Sequence, residues 1–149
     1  MGEAIMTWVE QQRQWVPFIH KVWDHMGLLC IVMEPGGEGT GFTGYVGLDK
    51  DHPFYEWEYS ENYDTHLDVH GGVTFSGTMP KEIAEPELWY IGFDMKHGFD
   101  YESKIEGRKY YIKNLRTIDE AIENTQSLCE QIIDWCKALD PAYELQGNL

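Results

Sequence analysis

The chain has 149 residues, enough for one hydrophobic core and the size of a single domain spanning residues 1–149. A formal net charge of -15 repels nucleic-acid backbones and argues against polymeric DNA or RNA as a partner. No apolar run is long enough to span a bilayer, and no basic stretch precedes an apolar one at the N-terminus, so neither a membrane segment nor a secretory signal is expected.

In chain order, the first predicted element is a helix over residues 4–26. Ile5, Trp8, Val9, Gln12, Trp15, Val16 and Ile19 fall on one stripe at helical spacing. Pro17 ends or kinks it, which leaves a second short helical piece from Phe18 to His25. The apolar run Leu28–Met33 has the length of a buried strand. Glu34–Gly41 is a glycine-dense turn, and Phe42–Leu48 reads as a second strand, so the two predict an antiparallel hairpin. The turn lacks the Lys-Ser/Thr ending of a phosphate-binding P-loop, and no helical pattern follows it.

Residues 49–68 form a long polar and aromatic segment suited to a rim or lid. Val69–Ser76 predicts a strand that begins after His70-Gly71-Gly72, Pro80–Pro86 a loop, and Leu88–Phe93 a central aromatic strand. Asp94–Gly107 reads as a polar loop. The last helix is the clearest. Thr117 and Glu120 have capping-box spacing, and Ile118, Ala121, Ile122, Thr125, Cys129, Ile132, Ile133, Cys136 and Leu139 follow as an apolar stripe ended by Asp140-Pro141. Helices at both ends of a strand-rich middle predict an α+β fold, a mostly antiparallel sheet packed by N- and C-terminal helices. Cys30, Cys129 and Cys136 all lie in apolar patterns, so they read as buried thiols in a reducing cytoplasm.

Two segments carry candidate chemistry. In His70-Gly71-Gly72-Val73-Thr74-Phe75-Ser76, the glycines allow a tight bend and close approach of a ligand to the backbone. An unbroken strand would align His70 with the hydroxyls of Thr74 and Ser76; the alternative is a β-bulge with a structural histidine. In the second segment, Asp94, His97 and Asp100 are spaced by three after the end of an apolar strand. Carboxylate plus imidazole suits general acid–base work or a divalent metal such as zinc or manganese, while the spacing alone also fits ordinary turn-capping Asp residues. Tyr55, Trp89 and Tyr90 could stack an aromatic ligand. Lys104, Arg108, Lys109, Lys113 and Arg116 are five of the eleven basic residues. They form either a solvated basic face or an anion-facing patch.

The combination of Tyr45-Val46-Gly47, His52-Pro53, Tyr55, His70 to Ser76, and Trp89-Tyr90-Ile91-Gly92-Phe93-Asp94 with His97 and Asp100 resembles a family of small phage and prophage proteins of unassigned function. The resemblance covers roughly residues 28–135. Met95-Lys96 stand where the family pattern expects small residues, and Gly98-Phe99 precede Asp100, so the loop shape departs from the pattern while the Asp, His and Asp stay in place. The resemblance implies a protein of the host-cell cytoplasm that counters host defence, by analogy of genomic setting.

Three functions follow as expectations. The first is capture of a small nucleotide-like signal, with Gly71, Gly72, Thr74, Ser76, Tyr55, Trp89, Lys104, Arg108 and Lys109 as ligand contacts, by a monomer or a homo-oligomer. The second is a hydrolase of the phosphodiesterase type, with His70, Asp94, His97 and Asp100 as catalytic residues and a divalent metal as the candidate cofactor. The third is an acidic module that inhibits a host protein by surface contact.

Overall fold

The computed structural model describes residues 17–58 and 66–139. Five strands form one antiparallel sheet: β1 (Phe18–His25), β2 (Leu28–Glu34), β3 (Thr43–Leu48), β4 (Phe75–Gly77) and β5 (Trp89–Asp94), in spatial order β1-β2-β3-β5-β4. A 3-10 turn at Gly98–Asp100 leads into a separate hairpin of β6 (Tyr101–Glu106) and β7 (Lys109–Asn114). Helix α1 (Ile118–Leu139) follows and packs on the sheet. The fold is α+β, and no helix among the described residues is long and apolar enough to cross a membrane.

The sheet is covered on both faces, which explains why β2 reads as a continuous apolar run rather than an alternating one. On one face Cys30, Val32, Val46, Ile91 and Phe93 meet Leu128, Cys129, Ile132 and Cys136 of α1. On the other, Ile31, Met33, Tyr45 and Tyr90 pack under Met79, with Ile83 and Leu88 from the loop before β5. Gly44 sets how closely the helix approaches: a Cβ there would collide with Thr125 Oγ1 and the Phe93 ring. Thr125 satisfies its buried hydroxyl by donating to the Ala121 carbonyl at 2.7 Å. The capping box forms as predicted, with the Glu120 amide donating to Thr117 Oγ1 at 3.2 Å and the Thr117 amide to Glu120 Oε1 at 3.1 Å.

Three expectations are corrected. The N-terminal helix is absent over its described part, because Phe18–His25 is an edge strand paired with β2. The helical reading of residues 4–16 lies outside the described residues. Phe18, Ile19, Val22 and Trp23 are β-branched or aromatic residues that suit a strand. The turn at Met26-Gly27 has φ of 54° and 90°, the backbone of a two-residue hairpin loop. Strand β4 is also shorter than expected. Gly71 and Gly72 have φ of 70° and 83°, and the Gly72 amide closes a turn onto the Val69 carbonyl at 2.8 Å, so regular pairing starts only at Phe75.

The third correction concerns Asp94–Gly107, whose second half is strand β6 rather than loop. Its pairing with β7 places Glu102 opposite Lys113 and Glu106 opposite Lys109. Opposite charges across strands stabilise such a ladder. The other face of this hairpin carries Tyr101, Ser103, Ile105, Tyr110 and Ile112, with Ile105, Tyr110 and Ile112 exposed. The hairpin is therefore amphipathic, and its apolar face is open.

The described part of the 49–68 segment packs inward. Phe54 is fully buried with its ring 4.4 Å from that of Trp135, and His52 lies 3.5 Å (Nε2) from Cys136 Sγ. Burial pushes the His52 imidazolium down from 6.5 to about 4, against a weaker opposing pull from Asp49. A buried neutral imidazole stabilises the fold fully above the unfolded-state value. That contribution is lost as pH falls from 6.5 toward 4, because the unfolded chain takes up the proton first. The unfolding free energy should fall across this window with an added slope of up to about 1.4 kcal/mol per pH unit. Urea titrations should show that His52→Gln flattens this slope; an unchanged slope would contradict the assignment.

Candidate functional site

The carboxylate of Asp100 is fully buried at the junction of four chain segments. Its Oδ1 is 2.6 Å from His70 Nε2, in the glycine turn before β4. Its Oδ2 accepts the His97 amide at 3.0 Å, at the entry to the 3-10 turn. Arg116, just before α1, places Nε 3.5 Å from Oδ1 and donates Nη1 to Glu120 at 3.1 Å. The Asp100 backbone joins the same knot: its amide donates to the His97 carbonyl at 2.9 Å, and its carbonyl accepts the Leu115 amide at 2.7 Å. One side chain thus ties the turn, the strand exit, the hairpin base and the helix entry. A buried carboxylate needs such a set of donors and a countercharge.

Donation from His70 to the Asp100 carboxylate requires a proton on Nε2, and in the neutral ring that tautomer leaves the lone pair on Nδ1. This is the orienting arrangement that a histidine base requires. His70 also receives support from α1, since its amide donates to Asn124 Oδ1 at 3.2 Å. His97 lies beside it, with ring centroids 6.4 Å apart. Phe99 covers both, stacked on His97 at 5.3 Å and 4° and tilted against His70 at 5.3 Å. His97 Nε2 is 3.4 Å from Asp94 Oδ1, too poorly placed for a hydrogen bond, and it is buried without a hydrogen-bond partner. Gly71 makes this crowding possible. Its φ is 70°, and a Cβ would strike the His97 ring.

Asp94 has a second environment. It lies at the end of β5 opposite Thr43 of β3 and accepts the Lys96 amide at 3.0 Å. With Thr43, Tyr45, Thr74, Phe75 and Lys96 it borders a groove of about 480 Å³, within the range of small-molecule sites. The Tyr45 and Phe75 rings meet edge to face at 5.5 Å and form an aromatic corner. Burial raises the Tyr45 hydroxyl above its ordinary range, and the nearby Asp94 charge adds to this while Thr43 opposes it. The tyrosine therefore presents a neutral hydroxyl to the groove.

The structure sorts the sequence candidates. His70, Gly71, Asp94, His97 and Asp100 come together, and Gly72 completes the turn beside them. Thr74 borders the groove, whereas Ser76 pairs with Ile91 farther along β5. His70 is not aligned with those hydroxyls, since the glycine turn breaks the strand between them. Tyr55 and Trp89 sit elsewhere, with rings 6.4 Å apart. Trp89 opens β5 while Asp94 closes it, a separation of about 17 Å at strand rise. Lys104, Arg108 and Lys109 lie on the projecting hairpin, where Lys104 pairs with Glu106 at 3.1 Å. Among the described residues, no three His, Cys, Asp or Glu side chains converge to hold a metal ion. Both Asp100 oxygens already have partners within the protein.

Sequence reasoning missed Arg116 as the countercharge, Asn124 as the clamp on His70, and the Thr43–Tyr45–Lys96 wall. Only Thr43 and Tyr45 had a legible signal: they are two apart on a predicted strand and so share a face. No family model, curated protein or solved structure matches the chain.

Replacing Asp100 by Asn puts an amide donor against one of the donors now bound there. Asp100→Asn should lower the unfolding free energy by about 1.5–3 kcal/mol, the worth of hydrogen bonds to a charged group. Chemical denaturation checks this, and a change below about 0.5 kcal/mol, the scatter of ordinary surface substitutions, would mean that Asp100 is not the knot described.

Proposed function

We propose that this protein binds and sequesters a small nucleotide-like molecule in the groove at the end of the sheet bordered by Asp94 and Lys96. The observation that carries this reading is the groove of about 480 Å³ with an aromatic corner on one side and a carboxylate and an ammonium on the other. A planar ring packs against Tyr45 and Phe75, Asp94 accepts ring or sugar donors, and Lys96 meets an anionic group. In the phage setting implied by the family resemblance, such a protein removes a host signal by holding it.

Catalysis is the second reading, and the His70–Asp100 pair favours it. An imidazole oriented through Nε2 by a buried carboxylate can use Nδ1 to take a proton from water or a substrate hydroxyl. Binding is preferred because the groove lies against Asp94 and Lys96, whereas His70 is not among the residues that line it.

The test is to incubate the protein with a panel of cyclic and ADP-ribose-derived nucleotides, with and without divalent metal, filter, denature the retained protein and chromatograph both fractions. Sequestration predicts one nucleotide depleted from the filtrate and released unchanged. It also predicts that Asp94→Ala weakens retention by about 10- to 100-fold, the loss of a charge-assisted hydrogen bond. A new product that disappears in His70→Ala establishes the hydrolase instead, and a panel left wholly in the filtrate rules out both.

A further inference from the structure

Two more grooves lie on the β6–β7 hairpin side of the one at Asp94. The first, of about 330 Å³, is lined by Glu34, Gly39, Gly41, Lys113, Asn114 and Arg116, with Ile112 at its edge. It adjoins the Asp94 groove across Lys96, whose aliphatic stem lies directly over Gly41, where a Cβ would meet Lys96 Cγ at 2.7 Å. The second, of about 430 Å³, lies against the open apolar face of the hairpin and is lined by Gly98, Tyr101, Ser103, Tyr110 and Ile112. Ile112 borders both of these grooves.

The order of chemistry along this track is specific. At one end is the Tyr45–Phe75 corner, in the middle are Lys96, Lys113 and Arg116, and at the other end are Tyr101 and Tyr110. Lys113 makes no ion pair among the described residues, and Arg116 spends Nε and Nη1 on Asp100 and Glu120 while Nη2 keeps its donors. Among the described residues that line the saddle the carboxylate is Glu34, and both its oxygens are taken: Oε1 faces His20 Nε2 at 2.8 Å, and Oε2 accepts the Gly41 amide at 2.9 Å. Lys96, Lys113 and the Nη2 edge of Arg116 thus supply positive groups on one side of a chain of net charge -15, beside the carboxylates that partner Arg116, and they are the groups an anion would meet there.

We infer that the three grooves form one binding track for a ligand with two planar rings joined by an anionic linker, the chemistry of a dinucleotide. This rests on the nucleotide-binding reading above and extends it: one base packs at Tyr45 and Phe75, the phosphate linkage crosses Lys96, Lys113 and Arg116, and the second base packs on Tyr110. The hairpin's uncovered aromatic face is then a working surface of the site.

Calorimetric titration with adenine and guanine mononucleotides, the linear dinucleotides ApA and GpG, and the corresponding cyclic dinucleotides tests the inference. A dinucleotide should bind at least about tenfold more tightly than its mononucleotide, the scale of one added base–aromatic stack. Tyr110→Ala should bring the dinucleotide down to the mononucleotide's affinity without altering the mononucleotide. Lys113→Gln should weaken the dinucleotide about tenfold, and the effect should shrink at high salt. Both side chains are exposed, so neither substitution is expected to unfold the protein. Mononucleotides that bind as tightly as dinucleotides, or a Tyr110→Ala protein with unaltered dinucleotide affinity, would overturn the track while leaving nucleotide binding at the first groove intact. Absence of binding by every nucleotide would overturn both.

Discussion

Asp100 has no exposed surface, and it is held from three places in the sequence: by hydrogen bonds to the His70 ring and the His97 amide, and by the Arg116 guanidinium as a countercharge 3.5 Å away. The cost of burying a carboxylate is met only when all of these are in place. That requirement fixes the glycine turn at residues 70–72 against the exit of β5, and it fixes the base of the hairpin against the start of α1. The candidate site is the surface expression of this constraint. His70 is oriented through Nε2, His97 is pressed onto Gly71, and Asp94, which accepts the Lys96 amide, borders the groove.

The division of labour between the two sheets follows. The five-stranded sheet is clamped between α1 and the loop before β5, and its buried strands supply a rigid base for the Tyr45–Phe75 corner. The β6–β7 hairpin is anchored at its root by the Asp100–Leu115 hydrogen bond and by Asn114, whose side chain donates to the Met95 carbonyl at 2.8 Å. Beyond that root it is a two-stranded ribbon with an exposed apolar face. Such a ribbon has little stability of its own. A ligand lying across the three grooves would connect its free half to the rigid sheet.

Much of this was legible in the sequence wherever one physical signal dominated. The Leu28–Met33 run, the glycine-dense turn and the apolar strand ending at Asp94 all appear as read, because burial on both faces demands continuous apolar strands. Helix α1 was legible from its capping box and its long stripe. Phe18–His25 was not, because Ile19, Val22 and Trp23 fit three- and four-residue spacing as readily as an edge strand whose turn residues are Met26-Gly27. The hairpin was hidden because its alternation is short and mixes charge with tyrosine, so Lys109 and Lys113 read as a basic cluster rather than as strand residues in register with Glu106 and Glu102. The site was half legible. The His70, Asp94, His97 and Asp100 set could be collected by type and by position at strand ends, but that Asp100 is the buried one and Asp94 the groove-facing one depends on long-range packing.

The site depends most directly on Asp100 orienting His70 through Nε2. Long-range proton–nitrogen NMR correlation of the histidine rings tests it directly. The account predicts that His70 is the Nε2–H tautomer, with a downfield, slowly exchanging ring proton that disappears in Asp100→Asn. An Nδ1–H tautomer, or a His70 ring proton indifferent to residue 100, would contradict it.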